Sequence, residues 1–430
     1  MNSISTITTS EPGLTVVFIS NGPGELTTWV KPLAEDLHRS LSLRPYAPNA
    51  LISLRLVLVP CPNATGNEKE VATSWKLFEK VTAAKDFWTV LINPKKFGYW
   101  PKEGIVVFLG GDQFWSVLLA ARLKYKNITY SEWITRWPFW NDRIAAMSPQ
   151  VKKILPKKLK KRCVVVGDLM ADIQTEAKNI APLPQGKWVA ILPGSKKAKL
   201  SIGIPFFLEV ADLLSQKNPE YNFLIPLAPT TNIEEICYFS SSKNAIAREY
   251  NSKVKQIELP TRLYPWRKLV TGSGTKLHLI ETYPAYSFIS QCDLAITTIG
   301  ANTSELGSLG VPMIVVVPTQ HLTVMEAWDG FLGIIARLPI LKYFLGLLIG
   351  LWRMRGNKFM AWPNITANRM VVPERIGKIT PKDIANEAND WLNSPKRLEG
   401  QREDLRSLRG KPGAIKLMVK EIINLISIIN

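Results

Sequence analysis

Three stretches of this chain place glycine, hydroxyl and charged residues directly after a run of apolar ones, as a buried strand does when it hands ligand groups to the turn before a helix. The first is Ser20-Asn21-Gly22-Pro23-Gly24-Glu25. Gly22 and Gly24 let the main chain approach a ligand, and the helix behind them offers free N–H groups to an anion or a sugar hydroxyl. Alone, the same residues also read as a tight turn in which Glu25 favours the helix dipole. The second is Ile191-Leu192-Pro193-Gly194-Ser195-Lys196-Lys197, where a strand delivers Gly194, Ser195 and two lysines. Backbone N–H, hydroxyl and ammonium groups in that order suit a diphosphate. The glycine spacing is neither a Walker loop nor GxGxxG, which argues against a nucleoside triphosphatase or a dehydrogenase.

The third stretch runs from Thr297 to Met313 and contains Gly300, Asn302, Thr303, Ser304, Glu305 and Gly310-Val311-Pro312. Its small residues leave room for a phosphate where a helix starts near Thr303, and Glu305, one turn in, can accept both hydroxyls of a ribose. The rival reading is a capping box in which Glu305 satisfies its own helix start. The second and third turns together favour a nucleotide-sugar site. Four cysteines and three histidines lie far apart, with no CxxC or HExxH spacing. A disulfide framework, a zinc site and metal catalysis are therefore disfavoured, and a reducing cytoplasm is expected.

Positioning such turns requires strands buried on both faces. Leu14–Ser20, Leu54–Pro60, Ile105–Leu109, Arg143–Met147 and Cys163–Val166 are short apolar runs separated by helix-length segments, one of them Asp112–Leu123. The pattern restarts with Trp188–Leu192, Phe223–Leu227, Leu294–Thr298 and Met313–Val317, with helices expected near Phe206–Leu214 and Ser304–Leu309. Continuous apolar strands alternating with helices predict parallel sheets covered on both sides. Proline and glycine cluster at Ile180–Gly186 and mark the boundary between two doubly wound Rossmann-like α/β domains with a cleft between them. The expected division is 1–180, then 181–370 with an apolar insertion at about 331–352, then 371–430 as C-terminal helices packing back across the domains. With 46 % hydrophobic and 21 % charged residues over 430, the chain can bury two cores and is not intrinsically disordered.

The order of these turns resembles the lipid-A-disaccharide synthase family of GT-B glycosyltransferases. Asn21–Glu25 is similar to a shortened form of that family's G-E-x-S-G-D turn, and Gly110-Gly111-Asp112-Gln113-Phe114 to its D-x-P-D-F turn. Leu192-Pro193-Gly194-Ser195 matches L-P-G-S-R with Lys196 in place of arginine, and Ile299–Met313 resembles S-G-T-x-T-L-E-x-x-x-x-G-x-P-M. Trp362-Pro363-Asn364 and Arg369 to Glu374 resemble its L-P-N and R-x-x-V-P-E elements. The resemblance implies GT-B architecture and inverting transfer of a sugar, in that family an acylated glucosamine, from a UDP-sugar to a lipid-linked hydroxyl, with no metal or other cofactor. It makes Asp112 the candidate base, against the rival reading of Asp112 as a helix cap. It assigns substrate binding to Asn21, Gly22, Gly24, Glu25, Gly194, Ser195, Lys196, Asn302, Thr303, Glu305, Asn364, Arg369 and Glu374. It further implies a bacterial lipid-A pathway and a homodimer. A UDP-sugar 2-epimerase, or a non-catalytic relative that binds lipid or nucleotide, would share the same ribose carboxylate.

The charge balance, 54 Lys and Arg against 35 Asp and Glu, is +19 and calls for an anionic partner. Residues 1–13 lack the basic and apolar regions of a secretory signal, and no apolar run reaches the ~18 residues of a spanning helix. Phe331–Trp352, followed by Arg353, Arg355 and Lys358, reads as an interfacial hairpin or as a core helix. Lys152, Lys153, Lys157, Lys158, Lys160, Lys161 and Arg162 follow Trp133, Trp137, Phe139 and Trp140. The aromatics precede the lysines instead of interleaving with them, and no nucleic-acid module is visible, so an anionic membrane surface is expected rather than nucleic acid. The implied location is cytoplasmic, peripheral on the inner face of the membrane.

Overall fold

The computed structural model describes residues 13–42, 52–60, 66–173, 182–229, 231–262, 264–321 and 359–429. The apolar run Phe331–Trp352 and the basic residues Arg353, Arg355 and Lys358 lie outside the described residues. The chain divides into two compact units, Met1–Leu169 with Gly413–Asn430, and Met170–Pro412. The first division therefore falls about ten residues before the proline-rich stretch that the sequence suggests. The expected C-terminal group 371–430 is split, with residues up to Pro412 belonging to the second unit.

The first unit contains β1 (Leu14–Ser20), β2 (Ile52–Leu58), β3 (Lys80–Thr82), β4 (Glu103–Phe108), β5 (Lys126–Ser131), β6 (Arg143–Ala146) and β7 (Cys163–Val165). They form a parallel sheet in the order β3-β2-β1-β4-β5-β6-β7. Its helices are α1 (Lys31–Ser42), entered through a π-helical turn at Leu26–Val30, then α2 (Glu68–Ser74), α3 (Phe87–Ile92), α4 (Gln113–Leu123) and α5 (Pro149–Ile154). Every residue of β1 is buried, as an apolar strand between two helical layers must be. β5 (KNITYS) carries no apolar run, yet all but its first residue are buried. Its polar groups are paired: Thr129 donates to Asn141 at 2.7 Å, and Asn127 and Asp142 exchange two bonds at 2.8 and 2.9 Å. Hydrogen bonding replaces hydrophobicity there.

The second unit contains β8 (Lys187–Leu192), α6 (Lys197–Lys217), β9 (Tyr221–Pro226), α7 (Ile233–Ser240), β10 (Val254–Glu258), β11 (Lys268–Thr271), β12 (Lys276–Ile280), α8 (Tyr286–Ile289), β13 (Leu294–Thr297), α9 (Ala301–Leu309), β14 (Met313–Pro318), α10 (Trp362–Ala367), β15 (Glu374–Gly377), α11 (Pro381–Leu392) and α12 (Pro395–Leu408). The sheet order is β10-β11-β12-β9-β8-β13-β14-β15. Five neighbouring pairs are parallel, whereas β10–β11 and β11–β12 are antiparallel, an edge extension that the sequence pattern did not reveal. Alternate residues of one strand enter opposite cores: Val189 and Ile191 join one, Trp188, Ala190 and Leu192 the other. α6 tolerates the internal Pro205 because Asn244 Nδ2 donates at 2.7 Å to Ser201 O, the carbonyl that a residue-205 N–H would otherwise serve. A final helix, α13 (Ala414–Ile429), packs on α1 and β4 of the first unit. Among the described residues no helix is long and apolar enough to cross a membrane.

The segment after residue 359 is clamped by a buried amide. Asn364 is fully buried; its Nδ2 donates to Val372 O and to Glu374 Oε1, both at 2.8 Å, and its Oδ1 accepts from Val371 and Val372 N–H at 2.6 and 2.8 Å. Glu374 in turn accepts from the N–H groups of Met360 and Ala361. Asn364→Ala strands these partners without water, so chemical denaturation should show a loss of about 2–4 kcal/mol. Unchanged stability with weakened ligand binding would make Asn364 a ligand contact instead.

Candidate functional site

In a doubly wound sheet the crevice for a ligand opens where the strand order reverses, beyond the carboxyl ends of the strands. The reversal in the second unit lies between β8 and β13 and in the first between β1 and β4. The turns singled out from the sequence are the ones at these two places.

After β8 the chain turns at Gly194, whose φ of +97° favours glycine, and α6 begins at Lys197 with no side-chain cap. After β13 the chain turns at Gly300, and α9 also begins without a side-chain cap. Two helix starts thus present N–H groups beside Ser195 and Lys196. Lys197 turns away and pairs with Glu235 at 3.4 Å. The cation that joins the turns is Lys199, which the sequence reading passed over. Its Nζ donates to Ile299 O at 2.9 Å, and a Cβ on Gly194 or Gly300 would come within 3.0 and 3.2 Å of its side chain. Burial, with the Lys196 charge as a second cause, lowers its amine to about 8. The neighbouring Thr298 hydroxyl is buried without a hydrogen-bond partner.

α9 begins at Ala301, two residues earlier than the sequence suggests, so Glu305 lies past the first turn and does not cap its helix. It is half-buried, has no hydrogen-bond or ion-pair partner among the described residues, and burial pushes its carboxyl to about 7. Asn302, in the first turn of α9 and three residues before Glu305, is also half-buried. Thr303 differs from the expectation of a ligand contact: its hydroxyl donates to Gly300 O at 2.9 Å and accepts from Trp362 N–H at 3.2 Å, which engages it in positioning α9 against α10. Asn364 and Glu374 likewise hold the chain and present no free group, because their polar atoms are occupied by backbone and by each other. Arg369 is an exposed residue bound to Asp404 at 2.7 and 3.2 Å. These three motif residues support the fold and do not meet in the β8–β13 turns.

In the first unit, Asn21 Oδ1 accepts from Gly22 N–H at 2.8 Å, and Gly24 O accepts from the hydroxyls of Thr27 and Thr28. The turn after β4 lies against this one: a Cβ on Gly110 would meet Asn21 Oδ1 at 3.0 Å and Glu25 Cβ at 3.2 Å. Asp112 is the N-cap of α4, accepting from Phe114 N–H at 2.9 Å, and its other oxygen is 3.4 Å from Arg136. The capping role is therefore realised, and half of the carboxylate remains outside it. Glu132, directly after β5, was not found from sequence, because β5 lacks an apolar signature. Burial, then the charges of Asp168 and Glu25, push its carboxyl to about 7. Carboxylates thus gather where the strands of the first sheet end.

No protein-family model matches the sequence. Among curated proteins, the chain is similar to lipid-A-disaccharide synthases of Nitrosococcus oceani (24 % identity, covering 54 % of this chain and 46 % of that one), Syntrophus aciditrophicus (27 %; 52 % and 45 %) and Myxococcus xanthus (26 %; 55 % and 49 %). The chain thus spans about half the length of the curated relatives it matches. Among solved structures, the fold is similar to UDP-GlcNAc 2-epimerase from Neisseria meningitidis bound to UDP-GlcNAc (TM-score 0.53, 12 % identity, 96 % of this chain and 100 % of that one). It is also similar to a UDP-N-acetylglucosamine 2-epimerase from Listeria monocytogenes (TM-score 0.54, 11 % identity, 95 % of each). The two doubly wound units are those of a GT-B fold, and over about half of its length the chain is similar in sequence to lipid-A-disaccharide synthases.

Proposed function

We propose that this protein is an inverting glycosyltransferase that moves a sugar, in its relatives' manner an acylated glucosamine, from a UDP-sugar to a lipid-linked hydroxyl at the inner membrane surface. The observation that carries the reading is the β8–β13 reversal. Two uncapped helix starts and the buried Lys199 suit a diphosphate, and Glu305, a carboxylate without a partner among the described residues, suits the two hydroxyls of a ribose. In the reaction, the acceptor oxygen loses its proton to a carboxylate as it bonds to the anomeric carbon. The bond from that carbon to the diphosphate breaks, and UDP leaves with its new charge met by Lys196, Lys199 and the helix N–H groups. Asp112 is the proposed base, oriented by Phe114 N–H and Arg136. A UDP-sugar 2-epimerase is the alternative; incubation with labelled UDP-sugar separates the two, since transfer puts label in lipid and epimerisation leaves it in nucleotide sugar.

Nucleotide affinity should follow a bell in pH. Ribose hydroxyls need Glu305 ionised, so calorimetric UDP affinity should rise as pH passes about 7; the diphosphate needs Lys199 charged, so affinity should fall as pH passes about 8. Glu305→Gln should remove the acidic limb and weaken UDP roughly 10- to 100-fold. Lys199→Met should remove the alkaline limb and weaken UDP more than uridine. A flat profile, or equal losses for both ligands, contradicts the site.

Glu305 also sets a stability test. Its folded-state value, about 7, lies above the usual 4.5, so the folded protein binds the extra proton between those values and stability falls as pH rises through that window. Glu305→Gln should therefore raise the melting temperature at pH 8 while it weakens UDP.

Asn caps helices as well as Asp does. Asp112→Asn should consequently keep the melting temperature and UDP affinity while turnover drops roughly 100- to 10,000-fold. Retained turnover there, with loss in Glu132→Gln, would move the proton to Glu132.

A further inference from the structure

The surface of the first unit carries a ribbon of aromatic rings, anchored to the core beneath it by Trp115. Trp88 on α3 meets Trp115 on α4 at 5.3 Å between ring centres, Trp115 meets Phe114 at 5.6 Å, Phe114 meets Trp137 at 5.5 Å, and Trp137 stacks on Trp140 at 5.6 Å. Three elements distant in sequence are thereby joined. Trp88 is 51 % exposed, Trp140 59 % and Phe139 63 %, with Ile92, Trp133 and Ile134 open beside them in sequence. An open groove of about 390 Å³ follows α4 between Phe114, Leu118, Ala121 and Trp140, wide enough for aliphatic chain.

The rings are held outward from below. Gln113 donates to Ile134 O and accepts from Arg136 N–H, Asn141 donates to Trp137 O, and Asn127 donates to Trp140 O. Trp137 occupies left-handed backbone (φ +55°), a conformation a bulky residue adopts only where its surroundings impose it. Arg162 donates to Asn141 O at 3.2 Å and so fastens the Lys-rich segment to the end of this loop. From Pro149 to Arg162 there are seven cations and no acid.

We infer that this ribbon and its lysines form a docking face for an anionic lipid bilayer. Indoles with an apolar body and a polar N–H settle at the headgroup level, and each Lys or Arg near an anionic surface adds attraction. Rings and charges together give reversible attachment, which neither gives alone. A nucleic acid is disfavoured because Trp137 and Trp140 lie nearly parallel, 13° apart, and spend faces on each other that bases would need. The ribbon starts two residues from Asp112, so a lipid-linked hydroxyl could reach that carboxylate with its chains still in the bilayer. The docking itself does not depend on sugar transfer.

The test is sedimentation of the full chain with vesicles of phosphatidylglycerol and phosphatidylcholine, and with phosphatidylcholine alone, no nucleotide present. The parent should bind the anionic vesicles at least ten-fold better, and lipids brominated on their acyl chains should quench its tryptophan fluorescence. The triple variant Trp133→Ser, Ile134→Ser, Phe139→Ser should bind at least ten-fold more weakly with unchanged melting temperature and UDP affinity. Lys157→Glu, Lys158→Glu, Lys161→Glu should abolish the preference for anionic lipid. If the first variant unfolds, quenching in the parent decides. Absent quenching, full binding by the serine variant, or release only when Phe344, Leu347, Leu348 and Leu351 become Ser overturns the inference. So does tighter binding of a single-stranded oligonucleotide that the same three serines abolish. Failure of UDP binding would overturn the glycosyltransferase reading and leave these outcomes untouched.

Discussion

One hydrogen bond organises the turns at the β8–β13 reversal: Lys199 Nζ to Ile299 O, 2.9 Å long. It crosses the place where the strand order reverses and ties the first turn of α6 to the turn after β13. It can form only because Gly194 and Gly300 carry no side chain; a Cβ at either would sit 3.0–3.2 Å from the lysine. Close packing continues one turn further, where a Cβ on Gly203 would lie 2.9 Å from Pro193 O. The glycines of these turns therefore have two uses at once. They let a ligand approach the main chain, and they let a cation pass between two turns to reach the same place.

A second tier of contacts holds α9 in position. Thr303 links Gly300 O to Trp362 N–H, and the indole of Trp362 lies over Gly307, where a Cβ would be 3.2 Å from the ring. Trp362 is in turn placed by Asn364 and Glu374. The motif that contains these residues matters through the helix it supports. Removing Asn364 would be felt as stability, and at Glu305 only through displacement of the helix that carries it.

The apolar strands and the three turns were legible because burial on both faces leaves a continuous hydrophobic run, ended by glycine. β5 was not, since Thr129 and Asn127 are satisfied by Asn141 and Asp142, which arrive from the following loop. The same silence hid Glu132. Lys199 was legible in principle: Lys197 and Lys199 are two apart in α6 and so point about 200° apart around it, and Lys197 meets Glu235. The reading weighted proximity in sequence over helical period. The aromatic ribbon lay deeper still, for Trp88, Phe114 and Trp137 come from three elements that only the folded sheet brings into contact.

The second unit keeps groups at its turns that folding alone does not favour. Burial drives Glu305 toward its neutral acid and Lys199 toward its neutral amine, each the form that a nucleotide diphosphate would not choose. Glu305 is thereby brought to about 7 and Lys199 to about 8, both within about a unit of neutrality. The Thr298 hydroxyl near Gly194 is also buried, without a hydrogen-bond partner. A ligand that supplies hydroxyl donors to the carboxylate and negative charge to the ammonium would favour both ionised forms, and that preference would add to its affinity. The opposed shifts share their largest cause, desolvation, to which the Lys196 charge adds at Lys199. An anion alone would answer only Lys199 and a neutral sugar only Glu305, whereas the nucleotide sugar proposed above carries groups for both.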